Sequence, residues 1–355
     1  MQALPASSGA SRLRALTIKA FVFLLSAFAV SNVLPGGARA AAPTSEGAVA
    51  VDPFRAVVSV RSFVPGDART ARTLGTQREG NGVVIDSQGL VLTIGYLIME
   101  AQFTEVVGPD GKAVPATVIA YDYDSGFGLL RATQPLGVDP MPLGDSATLD
   151  ASSRVLVVSA AGGRQVTPAR VVSRRVFAGY WEYLLEDAIF TMPAHLQFGG
   201  AALIGESGAL LGVGSLFVND ALEPQAFAPG NMFVPINGLK PILGELVQHG
   251  RHGKPPRPWL GVHTADAHGR VVVIRISDDG PAKTAGLRPG DIILGVDGQR
   301  VKDMADFLRK TWALGEAGAS VPLDIVRAGS GEPTVERVTV RSVDRYKWLK
   351  IHKGF

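Results

Sequence analysis

Residues 80–93 read GNGVVIDSQGLVLT, two apolar stretches joined by a Ser-Gln-Gly turn. Apolar, β-branched residues on both sides of a glycine-containing turn are typical of a β-hairpin. Residues 202–211 read ALIGESGALL and repeat the pattern, with glycine at the same turn position. Two similar hairpins, one in each half, are what a pair of six-stranded β-barrels would give. We therefore predict two barrels within residues 56–247.

Further strand-like runs surround the two hairpins. They lie at 56–60, 117–121, 128–132, 154–159, 165–176, 183–186, 210–218 and 232–235. The 42 glycines and 23 prolines are typical of a chain with many turns. Residues 237–248 (NGLKPILGELVQ) have apolar residues at helical spacing and predict a helix at the end of this region.

The composition indicates a globular, exported protein. The chain has 355 residues, of which 46% are hydrophobic and 19% charged, so it has enough apolar side chains for two or three cores. It has no cysteine, which excludes disulfides, thiolate metal sites and a cysteine nucleophile.

The N-terminal 40 residues have the layout of a secretory signal peptide. Basic residues precede the apolar run 20–30 (AFVFLLSAFAV), and Ala38-Arg39-Ala40 provides small residues at a cleavage site. A retained membrane anchor is the alternative, but 11 apolar residues fall short of the about 20 needed to span a bilayer. We therefore expect a periplasmic protein with no stable membrane span after cleavage. Residues 41–55 are expected to be a flexible lead-in.

Cleavage changes the charge of the protein. Residues 1–40 contain four basic and no acidic side chains, so their removal lowers the formal charge from +3 to −1. A nearly neutral protein offers no electrostatic argument for binding nucleic acid.

The last third of the chain is a separate unit. Residues 248–257, including HGRHGKPPR, are predicted to be a linker, 258–346 a compact domain and 347–355 a C-terminal tail. The motifs Trp259-Leu260-Gly261-Val262 and GPAKTAGLRPGDIILGVDGQ (280–299) resemble a bacterial PDZ domain. An amphipathic helix is predicted at 303–314.

The PDZ resemblance implies a peptide-binding groove. In such domains the N–H groups of a loop receive a peptide's C-terminal carboxylate, and the peptide adds as a strand beside that loop's strand. Gly261 suits a close approach of the backbone to the carboxylate because it has no Cβ. The peptide would pair along 261–264. The residues implied to bind it are Trp259, Leu260, Gly261, Val262, Met304, Phe307 and Leu308.

Residues 56–247 resemble the HtrA/Deg group of trypsin-like serine proteases. The hairpin at 80–93 is similar to the one that delivers the family's general-base histidine, and the stretch at 196–202 (LQFGGAA) to its nucleophile motif. On this resemblance the histidine, aspartate and serine positions hold Tyr96, Gly126 and Phe198. A serine nucleophile needs a base to remove its proton, so the resemblance implies a protease frame without its triad.

Other residues offer no replacement triad. No histidine precedes His195, and none of the serines or carboxylates has sequence spacing that would join it. Ser207, in Gly205-Glu206-Ser207-Gly208, imitates a trypsin nucleophile but lies between two apolar strands, so it is predicted to be a hairpin turn. Asp122 and Asp124 are predicted to be turn caps. His249 and His252 lie in the linker without a partnering cluster, so no metal site is predicted.

The sequence therefore predicts an all-β chain, a trypsin-like double β-barrel followed by a PDZ domain. The leading hypothesis is a pseudoprotease without cofactors that binds protein C-termini or unfolded segments of envelope proteins, in quality control or regulation. One alternative is an active serine endopeptidase that uses non-standard residues. Another is a structural partner of an active HtrA paralogue. The resemblance leaves open a homo-trimer or a mixed oligomer with such a paralogue.

Overall fold

The computed structural model describes residues 52–327 and 334–349. The predicted signal peptide, most of the predicted lead-in and residues 350–355 of the predicted tail lie outside this part of the chain. None of the described helices is long and apolar enough to cross a membrane.

The first six strands close into a barrel. Their order around it is β1-β2-β3-β6-β5-β4. The strands are β1 (Val57–Phe63), β2 (Gln77–Val84), β3 (Leu90–Ile94), β4 (Phe103–Val107), β5 (Ala113–Tyr121) and β6 (Phe127–Ala132). The central pair β3 and β6 is almost wholly buried, as expected for its continuous apolar sequence. A short helix, α1 (Ala71–Leu74), lies between β1 and β2.

The next six strands close into a second barrel, in the order β10-β11-β12-β9-β8-β7. They are β7 (Arg154–Ser159), β8 (Gln165–Gly179), β9 (Tyr183–Met192), β10 (Ala202–Ile204), β11 (Leu210–Val218) and β12 (Gly230–Pro235). The predicted pair of barrels is thus confirmed, and the repeated hairpins are β2–β3 and β10–β11. Ser207 lies in the turn between β10 and β11, as predicted.

The helix predicted at 237–248 is shorter in the structure. A 3₁₀ turn covers Ile236–Gly238, and the α-helix, α2 (Leu243–His249), begins only after Pro241. Proline has no N–H group and cannot continue a helix from the preceding turn, which accounts for the late start.

The third unit is an antiparallel sheet with one main helix, in the order β13-β14-β15-β17-β18, with β16 paired to β15. Its elements are β13 (Val262–Ala267), β14 (Arg270–Ile276), α3 (Pro281–Thr284), β15 (Ile292–Val296), β16 (Gln299–Arg300), α4 (Met304–Ala313), β17 (Ser320–Val326), β18 (Val335–Arg341) and α5 (Arg345–Trp348). Asp303 caps α4 by accepting a hydrogen bond from the Asp306 N–H at 2.8 Å. The predicted helix is thereby confirmed. The barrels and this sheet fall within one compact unit.

Candidate functional site

The segments that carry Tyr96, Gly126 and Phe198 meet between the two barrels. Tyr96 follows β3 and donates its hydroxyl to the Ser215 carbonyl at 2.9 Å. The Gly95 N–H donates to the Gly126 carbonyl at 2.7 Å, which brings the second position alongside the first. A Cβ added at Gly199, next to Phe198, would lie 2.8 Å from the Tyr96 hydroxyl. The structure thus places the three segments together.

The side chains at these positions do not offer a base. Burial raises the pKa of Tyr96 further above its usual value near 10, so the phenol stays protonated at neutral pH. Gly126 has a φ of +86°, and a Cβ there would lie 2.9 Å from the Tyr183 hydroxyl. That hydroxyl donates to the Ser125 carbonyl at 2.6 Å. Tyr183 therefore fills the space beside Gly126.

Asn81 fastens the loop that contains Phe198. Its side-chain amide donates to the carbonyls of Gln197 and Gly199 at 2.8 and 2.9 Å. Its carbonyl oxygen accepts from the backbone N–H groups of Ala160 and Ala161 at 2.7 and 2.9 Å. Asn81 is fully buried, and these four hydrogen bonds join the two barrels.

The His195 ring contacts two hydroxyl groups from residues distant in the sequence. Its Nε2 lies 2.9 Å from the Ser159 Oγ and its Nδ1 2.8 Å from the Thr167 Oγ1. The expectation that no serine joins His195 was therefore wrong, because β7 and β8 bring these residues to it from 36 and 28 positions away. Ser159 and His195 are 0% and 2% exposed. The group is a hydrogen-bonded core cluster with no access for a substrate.

His252 also has partners, contrary to the expectation for the linker. Its Nε2 lies 3.3 Å from carboxylate oxygens of both Asp122 and Asp124. The hydrogen bond to Asp122 and its charge raise the pKa of His252. Asp122 also accepts from the Ser125 N–H at 3.0 Å, which confirms it as a turn cap. Asp124 instead pairs with Arg257 at 3.4 Å.

Asp122, Asp124 and His252 are the residues in the described part of the chain with atoms placed to hold a metal ion. His252 and Arg257 contact the two carboxylates, so contacts within the chain account for the cluster.

The PDZ-like unit carries the most specific arrangement. The backbone N–H groups of Leu260, Gly261 and Val262 converge on one carboxylate, as the resemblance implies for a carboxylate-binding loop. The carboxylate belongs to Glu182, in the turn between β8 and β9 of the second barrel. The donor distances are 2.9, 2.7 and 3.0 Å.

The same turn also reaches the strand that follows the loop. The Thr264 N–H donates to the Tyr180 carbonyl at 3.0 Å, so residues 180–182 run antiparallel to β13. This turn therefore lies along the segment 261–264, where the peptide is predicted to pair. Sequence reasoning missed Glu182, whose only signal is an acidic residue within the aromatic stretch 180–183 (YWEY).

Trp259, at the start of the loop, does not donate to this carboxylate. Its N–H donates to the Val343 carbonyl at 3.2 Å and its carbonyl accepts from the Val343 N–H at 3.0 Å. The ring is 6% exposed and lies 4.6 Å, centroid to centroid, from the Trp348 ring. It thus anchors the base of the loop.

The predicted pocket residues lie close to the hairpin. Phe307 and Leu308 on α4 are buried and Met304 is partly buried, all within the apolar cluster of this unit. Leu184 of β9 is a member of the same cluster. A second link joins the same two elements: Arg309 of α4 donates to both carboxylate oxygens of Glu186 in β9, at 3.0 and 2.5 Å.

Two family models match the chain. One, a trypsin-like peptidase domain, matches residues 80–213, and the other, a PDZ domain, matches residues 258–340. Among solved structures, the HtrA-type protease AlgW with tripeptide is similar in fold, with a TM-score of 0.50 and 20% identity. The similarity covers 82% of this chain and 94% of that one.

Several curated relatives are HtrA-type proteases. Serine protease Do-like HtrA of Lactobacillus helveticus is 26% identical over 66% of this chain and 62% of its own length. Serine protease PepD of Mycobacterium tuberculosis is 27% identical over 77% and 63%. The periplasmic pH-dependent serine endoprotease DegQ of Escherichia coli is 29% identical over 74% and 59%. The alignments thus span about six-tenths of each relative's length.

A trypsin-like peptidase domain followed by a PDZ domain, with relatives of this kind, supports an HtrA-type family for this chain.

Proposed function

We propose that this protein is an exported pseudoprotease that binds the C-termini or extended segments of envelope proteins through its PDZ domain, in quality control or regulation. The observation that carries the binding proposal is the convergence of the Leu260, Gly261 and Val262 N–H groups on one carboxylate. Backbone donors arranged in this way are a receptor for a carboxylate, and the adjoining β13 can accept a peptide strand.

The absence of hydrolysis is proposed from the site between the barrels. Tyr96, Gly126 and Phe198 occupy the positions that the family resemblance assigns to the base, its orienting residue and the nucleophile. A phenol, a glycine and a phenyl ring cannot carry out the proton transfers of a serine protease. The Asn81 amide also donates to the carbonyls of Gln197 and Gly199, the residues on either side of Phe198.

Export to the periplasm is proposed from residues 1–40, together with the periplasmic relative. The domain limits at 56–247 and 258–346 are part of the same proposal. We also propose that the protein binds unfolded segments, and that it assembles as a trimer or with an active paralogue.

The alternative is an active endopeptidase, for which the Ser159–His195 contact at 2.9 Å supplies a hydroxyl and an imidazole, although both residues are buried. Proteolysis of unfolded casein and labelling with a fluorophosphonate probe test it on the mature protein. We expect neither turnover nor labelling. Turnover that is abolished by Ser159→Ala, His195→Ala or Ser207→Ala would overturn the pseudoprotease proposal.

Binding is tested by calorimetry with peptides that differ only in a free or an amidated C-terminus. Micromolar affinity for the free acid corresponds to about −8 kcal/mol. Amidation is expected to weaken binding sharply, because the loop N–H groups lose an anionic acceptor. Equal binding of the two forms would contradict recognition of the C-terminus.

A further inference from the structure

The turn at residues 180–182 occupies the groove in the way a bound peptide would. Its chain runs antiparallel to β13, with the Thr264 N–H donating to the Tyr180 carbonyl, and it ends at the loop with the Glu182 carboxylate. Strand addition that ends in a carboxylate on loop N–H groups is the way PDZ domains hold a C-terminus. The side chain of Glu182 thus stands where a partner's terminal carboxylate would stand.

The burial of Glu182 indicates that the loop holds it in place. Its φ of +57° is the left-handed conformation of the last residue in a three-residue hairpin turn. The residue is 7% exposed, although it lies at the tip of a hairpin and carries an ionisable group. Such a group is buried only where hydrogen bonds compensate for lost hydration. Here the three loop N–H groups provide them.

The next residues of the hairpin fill the apolar side of the groove. Leu184 is 7% exposed and packs in the cluster that includes Leu260 and Phe307. Arg345, from α5, faces the turn and donates to the Trp181 carbonyl at 3.5 Å. The turn therefore presents a carboxylate, a strand edge and an apolar side chain together.

We propose that residues 180–184 are an internal ligand of the PDZ groove and that a partner binds by displacing them. The inference rests on the proposed function. It also defines the partner's chemistry: a free C-terminal carboxylate on a segment with an apolar side chain of about the size of leucine. Because only the fraction of molecules with an open groove can bind, the internal ligand lowers the apparent affinity for every partner.

The first arm of the test measures the contact without any partner. Glu182→Gln removes the carboxylate and keeps its shape, whereas Asp187→Asn makes the same change on β9 at a residue paired with Arg174 of the barrel. Hydrogen exchange over residues 258–265 of the full chain is expected to rise at least tenfold in the first variant and to stay unchanged in the second. Equal exchange in wild type and both variants would overturn the proposal.

The second arm measures displacement. Dye-labelled decapeptides ending in Leu, as free acid and as amide, are titrated into the same three proteins. We expect Glu182→Gln to bind the acid at least tenfold more tightly than wild type, and Asp187→Asn to match wild type. Saturating peptide is also expected to raise hydrogen exchange at 180–186 in wild type.

The outcomes separate the internal ligand from the proposed function. Equal peptide affinity in all three proteins would overturn the internal ligand and leave peptide binding standing. Faster exchange in Glu182→Gln, with no peptide bound by any protein, would overturn both displacement and the proposed peptide-binding function. Leu184→Ala provides a second variant, and it is expected to raise peptide affinity in the same direction if Glu182→Gln folds poorly.

Discussion

The groove of the PDZ domain and the site between the barrels are both filled by the chain itself, but in different ways. In the groove, the recognising groups are intact and Glu182 satisfies them from outside the domain. Between the barrels, Tyr96 and Tyr183 are part of the packing, and Asn81 ties the neighbouring loop through buried hydrogen bonds. On the proposed displacement, the first arrangement opens while both domains stay folded, whereas opening the second would disrupt the junction of the barrels.

The largest effect is expected from Asn81→Ala. The change removes the partner of the Ala160 and Ala161 N–H groups and of the Gln197 carbonyl, whereas the Gly199 carbonyl keeps the backbone N–H of residue 81. Each buried unsatisfied group costs about 1–3 kcal/mol. We expect the free energy of unfolding to fall by about 4 kcal/mol, measured by urea denaturation. Glu182→Gln should cost less than half of that, since a tenfold loss of docking corresponds to about 1.4 kcal/mol. A similar fall in the free energy of unfolding for the two variants would contradict the view that the contact of Asn81 is permanent and that of Glu182 exchangeable.

A matched control for Asn81 is Asn237→Ala. Asn237 also links two segments, with its amide 2.6 Å from Asp145 and its carbonyl oxygen 3.2 Å from the Ser146 N–H, but it is only partly buried. Water can replace these partners, so a loss of about 1 kcal/mol is expected.

Gly261→Val is expected to change the conformation of the carboxylate-binding loop and so weaken peptide binding. Gly261 has a φ of +78°, and a Cβ would lie 3.2 Å from the Trp259 ring. A β-branched residue in this conformation is strained by about 1–3 kcal/mol, so the loop N–H groups turn away. Peptide affinity, measured by calorimetry, should fall roughly tenfold to a hundredfold. Gly269→Val has a similar φ of +69° with open space, and it should leave affinity unchanged.

Rebuilding the protease triad is expected to fail. Gly126→Asp places a side chain at a φ of +86°, 2.9 Å from the Tyr183 hydroxyl, at a cost of about 2 kcal/mol. The triple variant Tyr96→His, Gly126→Asp, Phe198→Ser should therefore show no casein hydrolysis, since triad members act as a unit. Thermal unfolding of Gly126→Asp, with Gly137→Asp as the control at open space and positive φ, measures the strain. Casein hydrolysis by the triple variant would contradict this prediction and show that the protease fold accommodates a rebuilt triad.

The smallest effect concerns pH. Burial raises the pKa of Glu182 to about 7, although the loop N–H groups and the charge of Arg345 lower it. Because the released carboxyl has the lower pKa, near 4.5, the docked turn is most stable below that pH and loses stability as pH rises through about 7. Glu182→Gln differs from the protonated carboxyl: both carboxyl oxygens can still accept from the loop N–H groups, whereas the glutamine NH2 group cannot accept and faces a donor at every pH. Carbon NMR of the carboxyl groups should show Glu182 titrating near 7, and in its ordinary range with saturating peptide.

Glu186 on the same hairpin is the internal reference for that titration. The hydrogen bond from Arg309 holds its pKa below the usual value. Titration of both carboxyls in the ordinary acidic range would contradict burial of Glu182 in the groove.

The architecture could be predicted because it depends on local patterns. A hairpin such as 80–93 shows its turn glycine and its apolar strands within 14 residues. The PDZ motif likewise places Gly261 next to the donors it serves, so the loop was identified from four consecutive residues. Patterns of this kind follow from backbone geometry and from burial of one face, which neighbouring residues decide.

What fills these sites was decided by tertiary structure alone. Glu182 meets its three donors across 78 to 80 residues, and Asn81 meets its loop across 116 to 118. The whole second barrel separates His252, in the linker, from Asp122. No local pattern carries such pairings, because a buried polar group needs only a partner within hydrogen-bonding distance, wherever in the chain that partner lies. The sequence by itself determined the receptor for a carboxylate. The packing of the second barrel against the PDZ domain determined which carboxylate it holds.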